Sequence, residues 1–277
     1  MLSWLKSLAK VVDDRLYGAY VLLLRAQGVI DYPVPPRSGM RKTSSRSYRH
    51  FYESGIRTAG PIAYAVIDQR GSFSGLDVLD FGCGVGRQLL HLSRHYPLNR
   101  YSACDVDRYS VDYISSHYPG VNACVNSFRP PLPFESNSFD VIYSVSIFSH
   151  LNPDDQLLWL KELARVIRPG GLVLLTTEGR VALDSLAQTL GIDQSEIGQR
   201  LEDEGVLFKE YEASVYRKVS GALEHVALGL GIEGSYGSTV VSPGYVRKQW
   251  QRDGLQVLNV VEGVIDHRQD LVVLVKQ

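Results

Sequence analysis

Val78-Leu79-Asp80-Phe81-Gly82-Cys83-Gly84-Val85-Gly86-Arg87 is the stretch whose reading decides the fold. A short apolar run that meets alternating glycines is the signature of a strand handing over to a helix at a ligand-facing turn. Glycines there let the backbone approach a bound group and take φ values that a Cβ forbids. Asp80 stands two residues before the first glycine, and the spacing is G-x-G-x-G, not the dinucleotide G-x-G-x-x-G. A pyrophosphate is repelled by that carboxylate, whereas a ligand bearing an ammonium and a sulfonium is attracted.

Downstream, strand and helix patterns alternate. Strands are expected at Asp77 to Phe81, Tyr101 to Cys104, Val121 to Val125, Phe139 to Ser144 and Gly171 to Thr177. Helices are expected at Arg87 to His95, Ser110 to His117 and Pro153 to Ile167. Each parallel return needs a crossover, so this rhythm means βαβ units. Two last runs, Leu255 to Val261 and Leu271 to Val275, read as a hairpin closing the sheet edge. The expected architecture is a doubly wound, Rossmann-like α/β fold with a mainly parallel seven-stranded sheet, an antiparallel C-terminal hairpin, N-terminal helices and a helical insertion. Its parts are 1–59, helical and basic; 60–178, the core; 179–245, a helical insertion or substrate lid; and 246–277, the last part of the core sheet.

Ligands of such sheets lie beyond the carboxyl ends of the strands, which nominates residues one strand at a time. Asp105 closes the second strand about 20 residues after the glycine loop, the interval at which a carboxylate holds ribose hydroxyls, and Val106 follows it. Asn126 and Ser127 end the third strand where a purine's amine and ring nitrogens are read, with Phe128 placed to cover its face. Ser144 and Val145 end the fourth strand, beside the reacting end of the ligand.

These residues resemble the class I S-adenosylmethionine-dependent methyltransferases. The resemblance is carried by VLDFGCGVGR, Asp105, Leu132-Pro133-Phe134 before Ser138-Phe139-Asp140, and Leu163-Ala164-Arg165-Val166-Ile167-Arg168-Pro169-Gly170-Gly171. It covers about residues 60–178 and the C-terminal hairpin. It implies S-adenosyl-L-methionine as cofactor and S-adenosyl-L-homocysteine as product. Asp80 with the loop residues Gly82, Cys83, Gly84 and Arg87 would hold the methionine portion, Asp105 the ribose and Asn126 the adenine. His267-Arg268-Gln269-Asp270-Leu271 before the last strand is similar to a subset that modifies glycans and other small molecules.

Methyl transfer needs mainly positioning, with a base only where the nucleophile loses a proton. His150, after the fourth strand, is the first candidate base and Glu178, at the end of the fifth, the second; a histidine bonding its own turn and a solvated strand-end carboxylate are the competing readings. Tyr48, Tyr52, His225 and Tyr236 are the candidate substrate contacts. Arg87 in the first turn of a helix opposes the helix dipole, which points to a purpose such as pairing with a carboxylate, with a plain surface arginine the equal alternative, and Asp107 reads as the cap of the following helix.

From Arg37 to Arg57 six basic residues (Arg37, Arg41, Lys42, Arg46, Arg49, Arg57) face the single acid Glu53. A solvated linker is the simpler expectation, and a grip on an anionic substrate group the sharper one. The 277 residues are 44% hydrophobic and 21% charged with a net charge of -1, so the chain buries a core and gives no global reason to expect nucleic acid. A flipped-base tetrapeptide of the N-P-P-Y type is absent after the fourth strand. Cys83, Cys104 and Cys124 lack metal spacing and read as reduced, so no metal is expected and the cytoplasm is. Leu5, Leu8, Val12, Leu16, Ala19 and Leu23 place one or two amphipathic helices at 2–27, with no membrane span. Such a helix packs more often on its own domain or on a second subunit, as in a homodimer, than on a membrane.

The leading expectation is therefore methyl transfer to a small molecule, probing oxygen of a sugar or other natural-product-like metabolite before nitrogen. A non-catalytic S-adenosylmethionine-binding scaffold and a nicotinamide-linked oxidoreductase are the alternatives.

Overall fold

A computed structural model describes residues 2–43, 45, 47–184, 187, 193–211 and 235–277. Three helices come first: α1 (Leu2–Ala26), α2 (Arg37–Lys42) and α3 (Tyr48–Arg70). The alternating core follows as β1 (Asp77–Phe81), α4 (Leu89–His95), β2 (Arg100–Asp105), α5 (Arg108–His117), β3 (Asn122–Val125), β4 (Phe139–Ser144), α6 (Pro153–Val166) and β5 (Ile167–Glu178). Beyond it lie α7 (Gln194–Asp203), β6 (Val206–Glu210), β7 (Gly237–Val241), α8 (Pro243–Gln249), β8 (Leu255–Ile265) and β9 (Gln269–Lys276).

Strands β3, β2, β1, β4 and β5 run parallel in that order, and β9 pairs antiparallel with β5 and with β8. This is the expected doubly wound sheet with its antiparallel hairpin. The order reverses between β1 and β4, and a crevice opens at the carboxyl ends of strands there.

Adjacent residues of each central strand point into opposite layers. Val78, Val141, Leu172 and Leu174 pack with Phe51 and Ile62 of α3, Leu89 and Leu92 of α4 and Ile114 of α5. Their neighbours Leu79, Ile142, Val173 and Leu175 pack with Trp159, Leu160 and Leu163 of α6 and with Trp250 after α8. Both faces are covered, which is why the strands read as continuous apolar runs instead of alternating ones.

The sheet has nine strands, not seven. The two extra ones come from the stretch expected to be helical. There β6 pairs antiparallel with β7, from Val206↔Val241 to Glu210↔Gly237, and β7 meets β5 at Glu178↔Val240. Val206-Leu207-Phe208 and Thr239-Val240-Val241 are short β-branched and aromatic runs, and tertiary pairing decides their conformation. The apolar surface expected at 220–230 lies outside the described residues.

The basic segment is also not a linker. It forms α2 and the first half of α3, whose Ser47 side chain caps the helix by accepting from His50 N at 3.1 Å. Helix α3 runs through position 59, the expected boundary of the core. The first core helix starts at Leu89, so Arg87 belongs to the turn before it.

Candidate active site

The glycine loop leaves β1 with φ of 79° at Gly82, 50° at Gly84 and 81° at Gly86, all in the left-handed region. A Cβ at Gly82 would collide with the side chain of Ile147, and one at Gly86 would sit 2.8 Å from Ile114 and Tyr118. The amides of Gly82 and Cys83 both donate to the carbonyl of Cys104, at 2.9 and 3.1 Å. The loop is thus tied to β2. Asp105 at the end of β2 accepts from Gly84 N at 2.8 Å on one oxygen and from Asp107 N at 2.9 Å on the other.

Several buried polar atoms at these strand ends have no protein partner. They are Asp80 Oδ2 on β1, Asn126 Oδ1 after β3, and Tyr143 OH and Ser144 Oγ on β4. Native interiors satisfy such groups, so a clustered set of orphans marks a place shaped for a polar ligand. Burial raises the pKa of Asp80 to about 7; the Tyr143 phenol and Arg87 lower it, while Asp105 adds repulsion. A cation placed beside Asp80 would restore its charge.

The strap formed by α2 and the residues after it covers the loop. Thr43 Cγ2 lies 3.0 Å from where a Gly84 Cβ would stand, and Arg87 Nη1 donates to the Thr43 carbonyl at 3.1 Å. Arg87 therefore holds the strap and not, among the described residues, an ion-pair partner. Its Nε is buried and unpartnered, and desolvation lowers its pKa.

On the other side of the crevice, the segment after β4 carries His150. Its Nδ1 is 3.0 Å from the Gly237 carbonyl and 2.9 Å from the Tyr211 hydroxyl. Its ring lies 5.4 Å from that of Tyr236 and 5.9 Å from that of Tyr211. Backbone bonds from Gly237 N to His150 O (2.9 Å) and from Thr239 N to Ser149 O (2.8 Å) fasten this segment to β7. Burial lowers the pKa of His150, against the pull of Glu178. Glu178 is itself buried, with Oε1 2.6 Å from Arg268 Nη2. Ser146, at φ 62°, donates from its hydroxyl to Gln269 Oε1 at 3.1 Å and from its amide to Thr176 Oγ1 at 2.8 Å.

Residues 78–171 match the sequence family described as "Methyltransferase domain". They carry the sequence pattern of that domain over about a third of the chain. S-adenosylmethionine is the cofactor that this resemblance implies. The chain is similar to a malonyl-[acyl-carrier protein] O-methyltransferase of Herminiimonas arsenicoxydans, 33% identical over 41% of this chain and 42% of that one. It is similar to a tRNA N(3)-cytidine methyltransferase of Gallus gallus, 25% identical over 43% and 35%. The curated relatives are thus matched over only about two fifths of their own length. In fold it is similar to magnesium protoporphyrin IX methyltransferase of Synechocystis PCC 6803, solved with bound S-adenosylhomocysteine. The TM-score is 0.53 and the identity 12%, covering 97% of this chain and all of that one.

The residues of the methyltransferase domain fit the cofactor. Asp80 offers an unpartnered carboxylate oxygen for an ammonium, Asp105 a carboxylate acceptor at the end of β2 for ribose hydroxyls, and Asn126 an unpartnered carbonyl for an adenine amine. The Asn126 amide is taken by Ser127 O at 2.7 Å. Cys83 is buried, so its side chain offers the cofactor nothing and it serves by shaping the loop. Val106 and Val145 are half-buried, Ser127 is exposed, and Phe128 packs on the α6-side cluster.

Of the expected substrate contacts, Tyr236 is brought to His150, and His225 lies outside the described residues. Tyr52 is corrected: its ring stacks on Tyr32 at 4.5 Å and meets His91 edge-on at 4.7 Å. Tyr48 likewise packs on the N-terminal helices, 6.1 Å from the Tyr20 ring. Helical spacing turned both toward the core side of α3. Asp107 caps α5, accepting from Ser110 N and Oγ at 3.3 and 2.7 Å. Tyr143, Ser146, Tyr211 and Gln269 were not singled out as site residues; each meets a neighbour that only the folded sheet supplies.

Proposed function

We propose that this protein transfers a methyl group from S-adenosylmethionine to an oxygen of a small molecule, a sugar or other natural-product-like metabolite, with His150 as general base. The observation that carries this reading is the contact of His150 Nδ1 with the Gly237 carbonyl. A carbonyl only accepts, so in the tautomer that satisfies it Nδ1 donates and Nε2 keeps the lone pair, with the Tyr211 hydroxyl as a second acceptor. The lowered pKa keeps the ring neutral near pH 7.

S-adenosylmethionine supplies a methyl carbon already activated by its sulfonium. His150 would take at Nε2 the proton that the acceptor oxygen loses on becoming a methyl ether, while the bound cofactor would supply the methyl carbon and keep the leaving electron pair on its sulfur. A neutral amine attacks with its lone pair and needs no such base, which favours oxygen over nitrogen. Glu178 is the weaker candidate because its carboxylate is committed to Arg268; it acts on the field around His150. Tyr211 and Tyr236 supply flat walls of the kind that cover a ring-shaped acceptor. The three free cysteines, Cys83, Cys104 and Cys124, accord with a cytoplasmic enzyme.

The test is calorimetry with S-adenosylhomocysteine, followed by labelled S-adenosylmethionine with panels of hydroxyl-bearing and amine-bearing acceptors. Micromolar binding and methyl ethers support the proposal. Absence of binding sinks the cofactor reading, and methylation of nitrogen alone sinks the choice of oxygen.

A further inference from the structure

From residue 14 on, helix α1 carries two apolar faces, and only one of them is buried. Tyr17, Val21 and Leu24 lie in the core layer. Leu16, Tyr20 and Leu23 recur at helical spacing about a quarter turn away, and they are 69%, 46% and 54% exposed. Leu22 and Val29 extend the exposed apolar surface. No helix among the described residues is long and apolar enough to cross a membrane.

Charge is distributed as unevenly. Residues 1–57 hold ten Lys and Arg against four Asp and Glu, and the rest of the chain nineteen against twenty-six. Arg15, Arg25, Arg37, Arg41 and Arg49 are all exposed. An exposed apolar stripe inside a cationic segment matches an interface that is apolar within and anionic at its surface. A second copy of the chain is disfavoured, because a two-fold contact would set this positive segment against itself.

We propose that α1 docks the protein on the surface of a bilayer containing anionic lipid, with Leu16, Tyr20 and Leu23 entering the interface and the surrounding arginines meeting the headgroups. Docking is independent of what the acceptor is.

The test uses the full-length protein with vesicles of phosphatidylcholine alone and of phosphatidylcholine with phosphatidylserine, in flotation assays at low and high salt. Binding to the anionic vesicles, weakened by salt, is expected. Leu16→Glu with Leu23→Glu should lower partition by about tenfold or more, because each change removes apolar contact and adds repulsion. Leu98→Glu, at a 73% exposed site outside the N-terminal helices, should leave partition unchanged. Calorimetry with S-adenosylhomocysteine confirms that each variant is folded. The proposal is overturned if the wild-type protein ignores anionic vesicles, or if the double variant binds them equally well. It is also overturned if sedimentation shows a dimer that the double variant dissolves while vesicles go unbound.

Discussion

Nδ1 of His150 stands 3.0 Å from the carbonyl oxygen of Gly237, and Gly237 returns its own amide to the His150 carbonyl at 2.9 Å. The two residues lie 87 positions apart in sequence, so strand β7 holds in place a group that follows β4. His150→Ala is expected to lower kcat by about a hundredfold or more, with affinity for S-adenosylhomocysteine within about twofold of wild type. Loss of cofactor binding in the same variant would mean that His150 only builds the segment. Because burial lowers its pKa from 6.5, the base stays unprotonated to lower pH than a free imidazole. The acid limb of the kcat/KM profile should therefore fall below 6.5.

Asp80 makes a second pH dependence, of opposite origin. Its pKa is raised from 3.8 to about 7, so the folded apoprotein binds that proton more tightly than the unfolded chain. Its contribution to stability is full below 3.8 and is lost as pH rises through about 7. An ammonium ligand prefers the ionised carboxylate, so affinity for S-adenosylhomocysteine should be about tenfold weaker at pH 6 than at pH 8. Asp80→Asn should weaken binding at pH 8 and flatten the profile. A flat profile in the wild-type protein would contradict the placement of the ammonium at Asp80.

Local patterns carried the fold and the cofactor half of the site in readable form. VLDFGCGVGR, Asp105 and Asn126 each sit at a strand end, and the rule that ligands lie beyond those ends needs no tertiary detail. The acceptor half was less legible. His150 and Glu178 were visible as strand-end residues, but their states depend on Gly237 and on Arg268, partners that no local pattern pairs with them. Tyr52 was misassigned because its neighbours are basic, whereas its own position on α3 turns it to Tyr32 and His91. Strands β6 and β7 were missed because each is a five-residue run whose conformation is set by its partner.

Gly82 tests the loop without touching a charge. Its φ of 79° disfavours any Cβ, and the added carbon would strike Ile147. Gly82→Ala should destabilise the protein by about 2 kcal/mol or more and displace the segment that leads to His150. Urea unfolding measures the first effect. A loss in kcat beyond the loss in cofactor affinity measures the second; unchanged stability would show that the turn relaxes.

The Glu178–Arg268 pair lets the field at His150 be moved in both directions. Glu178 is 3% exposed at the side chain and Arg268 50%, so the pair is half screened and its value rests on the buried carboxylate. Arg268→Ala strands that carboxylate and should cost about 1–3 kcal/mol. Adding Glu178→Gln should recover part of the cost, since an amide is cheaper to bury than an unpaired charge. Glu178 raises the pKa of His150 and Arg268 lowers it. Glu178→Gln should therefore shift the acid limb of the rate profile down, and Arg268→Ala should shift it up. Shifts of opposite sign would identify the pair as the device that sets the basicity of His150. Shifts of the same sign, or none, would leave it as a contact that merely closes the end of β5.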